Sequence, residues 1–173
     1  MKKKNNIEKK KLVNLFKVMD HYKLNDLTAN HASVLSKDGK GFFINQHKLL
    51  FSEISQNNLK YVSLNDNYSK KHQQINKAGF FIHLYLHNSK AKPGAILHTH
   101  SINSVAISCL KNGLKPAIQD AAMFHNRVSY HDWQGMSDDV AECKILSKNL
   151  GLNKVMILRN HGLLTCGKTV AEA

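Results

Sequence analysis

A mixed α/β layered fold is what this 173-residue sequence predicts, and three observations carry the prediction. Apolar residues make up 42% of the chain and charged residues 21%, which is enough to build a core and too hydrophobic for a disordered coil. Segments with the 3.6-residue period of helices alternate with short apolar segments of strand type, and two of those strands are joined by a tight turn. Helices that alternate with strands and also follow paired strands must layer onto a sheet. Nine glycines and two prolines exclude collagen-like and low-complexity architectures. The length suits one domain, read as a basic flexible arm over 1–9 followed by a folded unit over 10–173.

The elements follow in order. Leu12, Phe16 and Met19 share one face of an amphipathic helix over 7–22. Strands over His31–Ser36 and Gly41–Asn45 flank Lys37-Asp38-Gly39-Lys40, whose Asp-Gly pair is a hairpin signal. A short helix is expected over Ser52–Leu59, a strand over Tyr61–Leu64 and a polar surface loop over 66–77. Phe80–Asn88 reads as helix, and Pro93-Gly94 breaks the chain before the apolar run Ala95–Leu97 that leads into His98-Thr99-His100. Ile102–Lys111 reads as a helix closed by Gly113, and Ala121–Tyr130 as strand-like. Ser137-Asp138-Asp139 caps a helix running to Asn149, with Gly151 just past its end. Lys154–Leu158 is a buried strand entering Arg159-Asn160-His161-Gly162. Thr169-Val-Ala-Glu172 has the pattern of a capping box, although the sequence stops at Ala173, which predicts a longer parent chain whose C-terminal helix is missing here.

Charge narrows the function classes. Lysine and arginine total 25 against 12 acids, a net +13, but six lysines and one glutamate within residues 1–11 account for five of those charges. The remainder is scattered, and Arg127 and Arg159 are the two arginines. Bidentate phosphate and base contacts favour arginine, and no aromatic platform is interleaved with the lysines. Specific nucleic-acid binding is therefore not expected. No apolar stretch approaches the ~18 residues of a membrane span. Cys109, Cys143 and Cys166 lack Cys-x-x-Cys spacing, as in a reduced, cytoplasmic protein.

Histidines are the residues that could carry chemistry. His98 and His100 stand two apart on a strand, so both rings project to one face. His161 ends a second apolar strand, beside Gly162, where backbone can approach closely. Together the three would make an open metal site with a position left for water or substrate; packed or solvated histidine is the other reading of a His-x-His pair. His83 and His87 are spaced i, i+4, which allows chelation or a half-exposed helix face beside Leu84 and Tyr85. His125, His131 and Asp132 form a looser group, and Cys166 is either a soft ligand or a buried inert thiol.

Ala95-Ile-Leu-His98-Thr-His100-Ser101, Tyr130-His-Asp132-Trp-Gln-Gly135 and Val155-Met-Ile-Leu-Arg-Asn160-His161-Gly162 resemble, in order and spacing, the class II aldolase/adducin family. Gly167–Ala173, Asn30-His-Ala-Ser33 and Gly41–Asn45 resemble further blocks of it, so the likeness covers about residues 10–173. The resemblance implies a three-layer α/β/α fold around a largely antiparallel sheet, often a homotetramer. It implies a Zn²⁺ (or other divalent) site at His98, His100 and His161 that polarises a carbonyl. The implied activity is lyase-type: aldol cleavage, or a related carbonyl/enediolate step, on a small hydroxy-carbonyl or sugar-phosphate-like substrate. Aldolases of the family place a general-base Glu four residues before the position of His83, where this chain has Gly79, a residue with no proton acceptor. His83, Asp120 and His131 are the candidates for that catalytic role, and Gly79→Glu is the change that would supply the carboxylate. Asn30, Lys48 and Lys77 are the candidates for substrate or anion binding, since Lys77-Ala78 replaces the paired serines of sugar-phosphate aldolases. The Asn76-Lys-Ala-Gly-Phe80 stretch also resembles the adducin head, which implies the alternative of a non-catalytic interaction module with an actin-skeleton partner.

Overall fold

A computed structural model describes residues 2–132, 134 and 140–173, with side chains from Asn5 onward. Among the described residues, seven strands form one sheet in the order β3-β2-β1-β4-β7-β6-β5. They are β1 (His31–Leu35), β2 (Gly41–Ile44), β3 (Lys60–Ser63), β4 (Ala95–Thr99), β5 (Val128–His131), β6 (Val155–Leu158) and β7 (Gly162–Gly167). Every neighbouring pair is antiparallel except β5 with β6. That parallel pair is joined through a helix, as parallel strands require. The expectation of a layered α/β fold with a largely antiparallel sheet is met.

Among the described residues, the helices are α1 (Lys2–His21), α2 (Lys77–His87), α3 (Ile102–Ser108), α4 (Gln119–Ala122) and α5 (Val140–Leu150); all but the exposed one-turn α4 pack on the sheet. Strand alternation sorts them into two layers. Ile96, Met156, Leu158, Leu164 and Cys166 share a core with Ile82 and Leu86 of α2 and Cys143, Leu146 and Leu150 of α5. The opposite-facing Ala32, Val34, Ala95 and Leu97 pack with Leu12, Phe16 and Met19 of α1. Val155, Ile157, Leu163 and Thr165 face α3 through Ser104 and Ile107. The residues expected on the buried face of α1 are the ones in its core.

Several expectations need correction. The first helix begins at Lys2, not at residue 7, so the basic segment is helical from that point. Ser52–Leu59 is not a helix: only a 3-10 turn, Phe51–Glu53, forms, because Asn58 Oδ1 takes the Ser55 N–H at 2.9 Å and competes with helical pairing. The 66–77 loop contains one 3-10 turn, Lys70–His72. Ala121–Tyr130 is strand only from Val128; its first part is the one-turn α4, and Asn126 at φ 56° separates the two. The β-branched Val128 is where strand propensity begins. β7 was not expected. The Ser137–Asp139 cap lies outside the described residues. Thr169 does cap a turn, its Oγ1 accepting the Glu172 N–H at 3.2 Å.

Candidate metal centre

The three histidines of the two separate motifs meet. β4 pairs with β7 so that His98 opposes Leu164 and Thr99 opposes Leu163. The register brings the three-residue β6–β7 turn, Arg159–His161, beside His100. Asn160 turns that corner at φ 56°, a left-handed conformation that Asn tolerates. Gly162 lets the strands close: a Cβ there would lie 2.6 Å from the Thr99 carbonyl oxygen and 3.0 Å from His100 Cδ2. One ligand nitrogen from each of His98, His100 and His161 lies within 4.8 Å of the others.

The surroundings aim these rings. His98 Nδ1 is 3.0 Å from the Leu163 carbonyl oxygen, and His100 Nδ1 is 3.2 Å from Asp26 Oδ2. Both partners only accept, so each Nδ1 is assigned the proton, and the neutral tautomer of each ring then turns an Nε2 lone pair inward. The two Nε2 atoms are 2.9 Å apart. A shared proton or a cation bridges such a pair of facing nitrogens. Carbonyl and carboxylate partners behind metal-binding imidazoles are how proteins fix such ligands, so the donor set fits a divalent ion of zinc type. Burial, reinforced by His31, His161 and His100, holds His98 well below its ordinary pKa. Burial lowers His161 to about 4, with His100 and His131 adding to it. Neutral imidazoles are the form that binds metal.

The other candidates divide. Asn30 is buried one residue before His31, which pairs with His98 across β1 and β4; its Oδ1 accepts the Asp26 N–H at 2.6 Å, while its Nδ2 is buried without a hydrogen-bond partner. His83 is fully buried, with His31 on Nε2 and Ser33 on Nδ1. His87 is buried too, so the pair does not form the half-exposed face the spacing allowed. His131 is buried with Nδ1 3.0 Å from Asn149 Nδ2 and Nε2 3.7 Å from Glu142 Oε1. Asp120, Lys48 and Lys77 are exposed, Asp120 on α4 and Lys77 at the start of α2. His125 is exposed and does not join His131. Cys166 is buried, and burial pushes its thiol up to about 12, which leaves it inert.

Two residues of the site were not singled out beforehand. Asp26 orients His100 from an irregular loop that carries no motif. His31 does have a signal: it opens a strand two residues before Ser33, so both must share the α2 face. The His31 ring centroid lies 4.9 Å from that of His98.

A three-layer α/β/α domain with a three-histidine centre at one end of its sheet defines the class of protein. The chain belongs to the Class II Aldolase and Adducin N-terminal domain family, whose model matches residues 10–173. It is 36% identical over 151 residues to a Pseudomonas aeruginosa protein provisionally named an aldolase class 2 protein, covering 85% of this chain and 57% of that one. It is 33% identical over 168 residues to alpha-adducin of Rattus norvegicus, covering 94% of this chain and 23% of that protein. Among solved structures, an aldolase II superfamily protein from Pseudomonas syringae matches with TM-score 0.91 and 35% identity, over 98% of this chain and 70% of that one. The L-fuculose 1-phosphate aldolase of Glaciozyma antarctica matches with TM-score 0.80 and 27% identity, over 96% and 66%. The chain thus spans little more than half, or less, of these curated relatives. Among the described residues no helix is long and apolar enough to cross a membrane.

Proposed function

We propose that this chain is the metal-binding domain of a class II aldolase-type enzyme acting on a small hydroxy-carbonyl or sugar-phosphate-like substrate. The observation that carries the reading is the convergence of His98, His100 and His161, with two Nε2 atoms 2.9 Å apart and the rings of His98 and His100 braced from behind. When bound there, Zn²⁺ or another divalent ion supplies Lewis-acid polarisation of a carbonyl, for aldol cleavage or a related carbonyl/enediolate step. The protein's own contribution is orientation. The Leu163 carbonyl and Asp26 carboxylate keep the Nε2 atoms turned inward, and burial favours the neutral form of His98 and His161. Asn30 offers its unpartnered Nδ2 donor to a substrate oxygen. Lys48 and Lys77 draw an anionic substrate: His47, next to Lys48, is close enough to His31 to disfavour its charge, and Lys77 lies two residues before Gly79, which touches His31. Oligomeric assembly is part of the same reading, by analogy with the family.

A second reading, a non-catalytic adducin-like module, is favoured by one feature, the Gly at position 79 where aldolases carry Glu. A panel of hydroxy-carbonyl compounds and their phosphates, assayed for aldol cleavage and isomerisation with the zinc-loaded chain, separates the two. Turnover that disappears in His161→Ala supports the enzyme. A zinc-loaded protein inert to the whole panel supports the module.

A further inference from the structure

Behind the trio, four residues the metal does not need form a continuous buried file. Its far end is the Pro93 carbonyl oxygen, which accepts from His87 Nδ1 at 2.9 Å. In the neutral ring His87 Nε2 is then a lone pair, and it receives the Ser33 hydroxyl hydrogen across 2.7 Å. A hydroxyl has one hydrogen. Ser33 Oγ, having spent it, accepts from His83 Nδ1. His83 Nε2 is left as an acceptor and takes the Nδ1–H of His31 at 2.8 Å. One carbonyl that cannot donate therefore sets the direction of every bond in the file. His31 emerges with its Nδ1 proton committed and its Nε2 a bare lone pair, which makes no hydrogen bond among the described residues. Burial favours the neutral form at the far end of the file, holding His87 at about 4 and His83 well below its ordinary value.

His31 stands where that lone pair is useful. Its ring contacts His98, and it lies near enough to His100 and His161 for their charges to act on it. It also lies over Gly79: a Cβ on Gly79 would come within 2.9 Å of His31 Cδ2, 3.0 Å of Cγ and 3.3 Å of Nε2. The absent side chain at 79 is what makes room for the imidazole.

We propose that His31 Nε2 is the hydrogen-bond acceptor for a substrate hydroxyl beside the metal centre, and that Ser33, His83 and His87 are positioning residues that fix its acceptor tautomer. The ligand class is a hydroxyl next to a carbonyl, so the inference deepens the reading above and rests on it for the metal alone. The tautomer is measured first on the metal-free full chain carrying 15N-histidine, by long-range 1H–15N correlation. The expected spectrum shows His31 protonated at Nδ1 and bare at Nε2, and Ser33→Ala turns this single form into a mixture. A protonated Nε2 in the wild type, or a single form kept in a folded Ser33→Ala, overturns the proposal; if that variant does not fold, the wild-type spectrum alone decides. Hydroxyacetone and acetone are then added to the zinc-loaded chain. A His31 Nε2 shift with hydroxyacetone and not with acetone supports the proposal; equal shifts, or none, overturn it. Failure to bind zinc overturns the metal reading instead, and the same pair of probes applied to the metal-free chain is then judged by the same two outcomes.

Discussion

At position 79 the missing side chain has a structural role, since His31 occupies the space a Cβ would claim. Restoring a carboxylate is therefore not a simple gain. We predict that Gly79→Ala destabilises the fold by about 1–3 kcal/mol, the usual cost of overpacking, and that Gly79→Glu destabilises it at least as much and does not raise activity. Denaturant melts of the two variants check the first part; a wild-type midpoint in Gly79→Ala would contradict it. Asp26 offers a second test. Its carboxylate lies half exposed at the surface, yet its contact with His100 fixes a ligand ring. Asp26→Asn is predicted to weaken zinc binding by about 10–100-fold, as loss of a partner behind a metal ligand does. Chelator competition measures this, and an unchanged affinity would remove Asp26 from the account.

Among the elements, the β4 end and the β6–β7 turn are held together by Gly162. Gly162→Ala must push against the Thr99 carbonyl and His100, so it is predicted to lower zinc affinity while the sheet still forms. Zinc titration alongside circular dichroism checks both halves; loss of all structure, or wild-type affinity, would contradict the prediction. Much of this geometry is legible in the sequence. The Asp38-Gly39 hairpin, with Gly39 at φ 67°, and the apolar runs entering His98 and Leu158 announce the strands that carry two of the three motifs. β7 is not legible, because a six-residue strand bounded by Gly162 and Gly167 looks like turn from either end. The buried file is half legible. His83 and His87 have the spacing to share a helix face, but nothing local says that Ser33, some fifty positions earlier, will stand between them. That is set by which face of β1 meets α2, a tertiary fact.

For the molecule as a whole, the buried neutral histidines make stability depend on pH. A histidine whose pKa falls on folding leaves the unfolded chain to bind the proton first. Stability is therefore full above about pH 6.5 and declines as pH falls towards the folded value. For His87, lowered to about 4 by burial, the loss at pH 5 is on the order of 2 kcal/mol; His31, His83 and His98 act in the same direction. We predict a melting temperature that drops steadily from pH 7 to pH 5. A flat profile over that range would mean that these rings are not buried neutral. The net charge of +13 adds self-repulsion of the same sign on acidification, which added salt screens; the histidine effect survives at high salt, which separates the two.

Zinc stoichiometry tests the centre of this account most directly. Elemental analysis of the metal-replete, dialysed chain is predicted to find about one Zn²⁺ per chain, the content of a single three-histidine site, and none in His98→Ala. A wild-type chain with no stoichiometric divalent ion, or a variant that retains the metal in full, would contradict it.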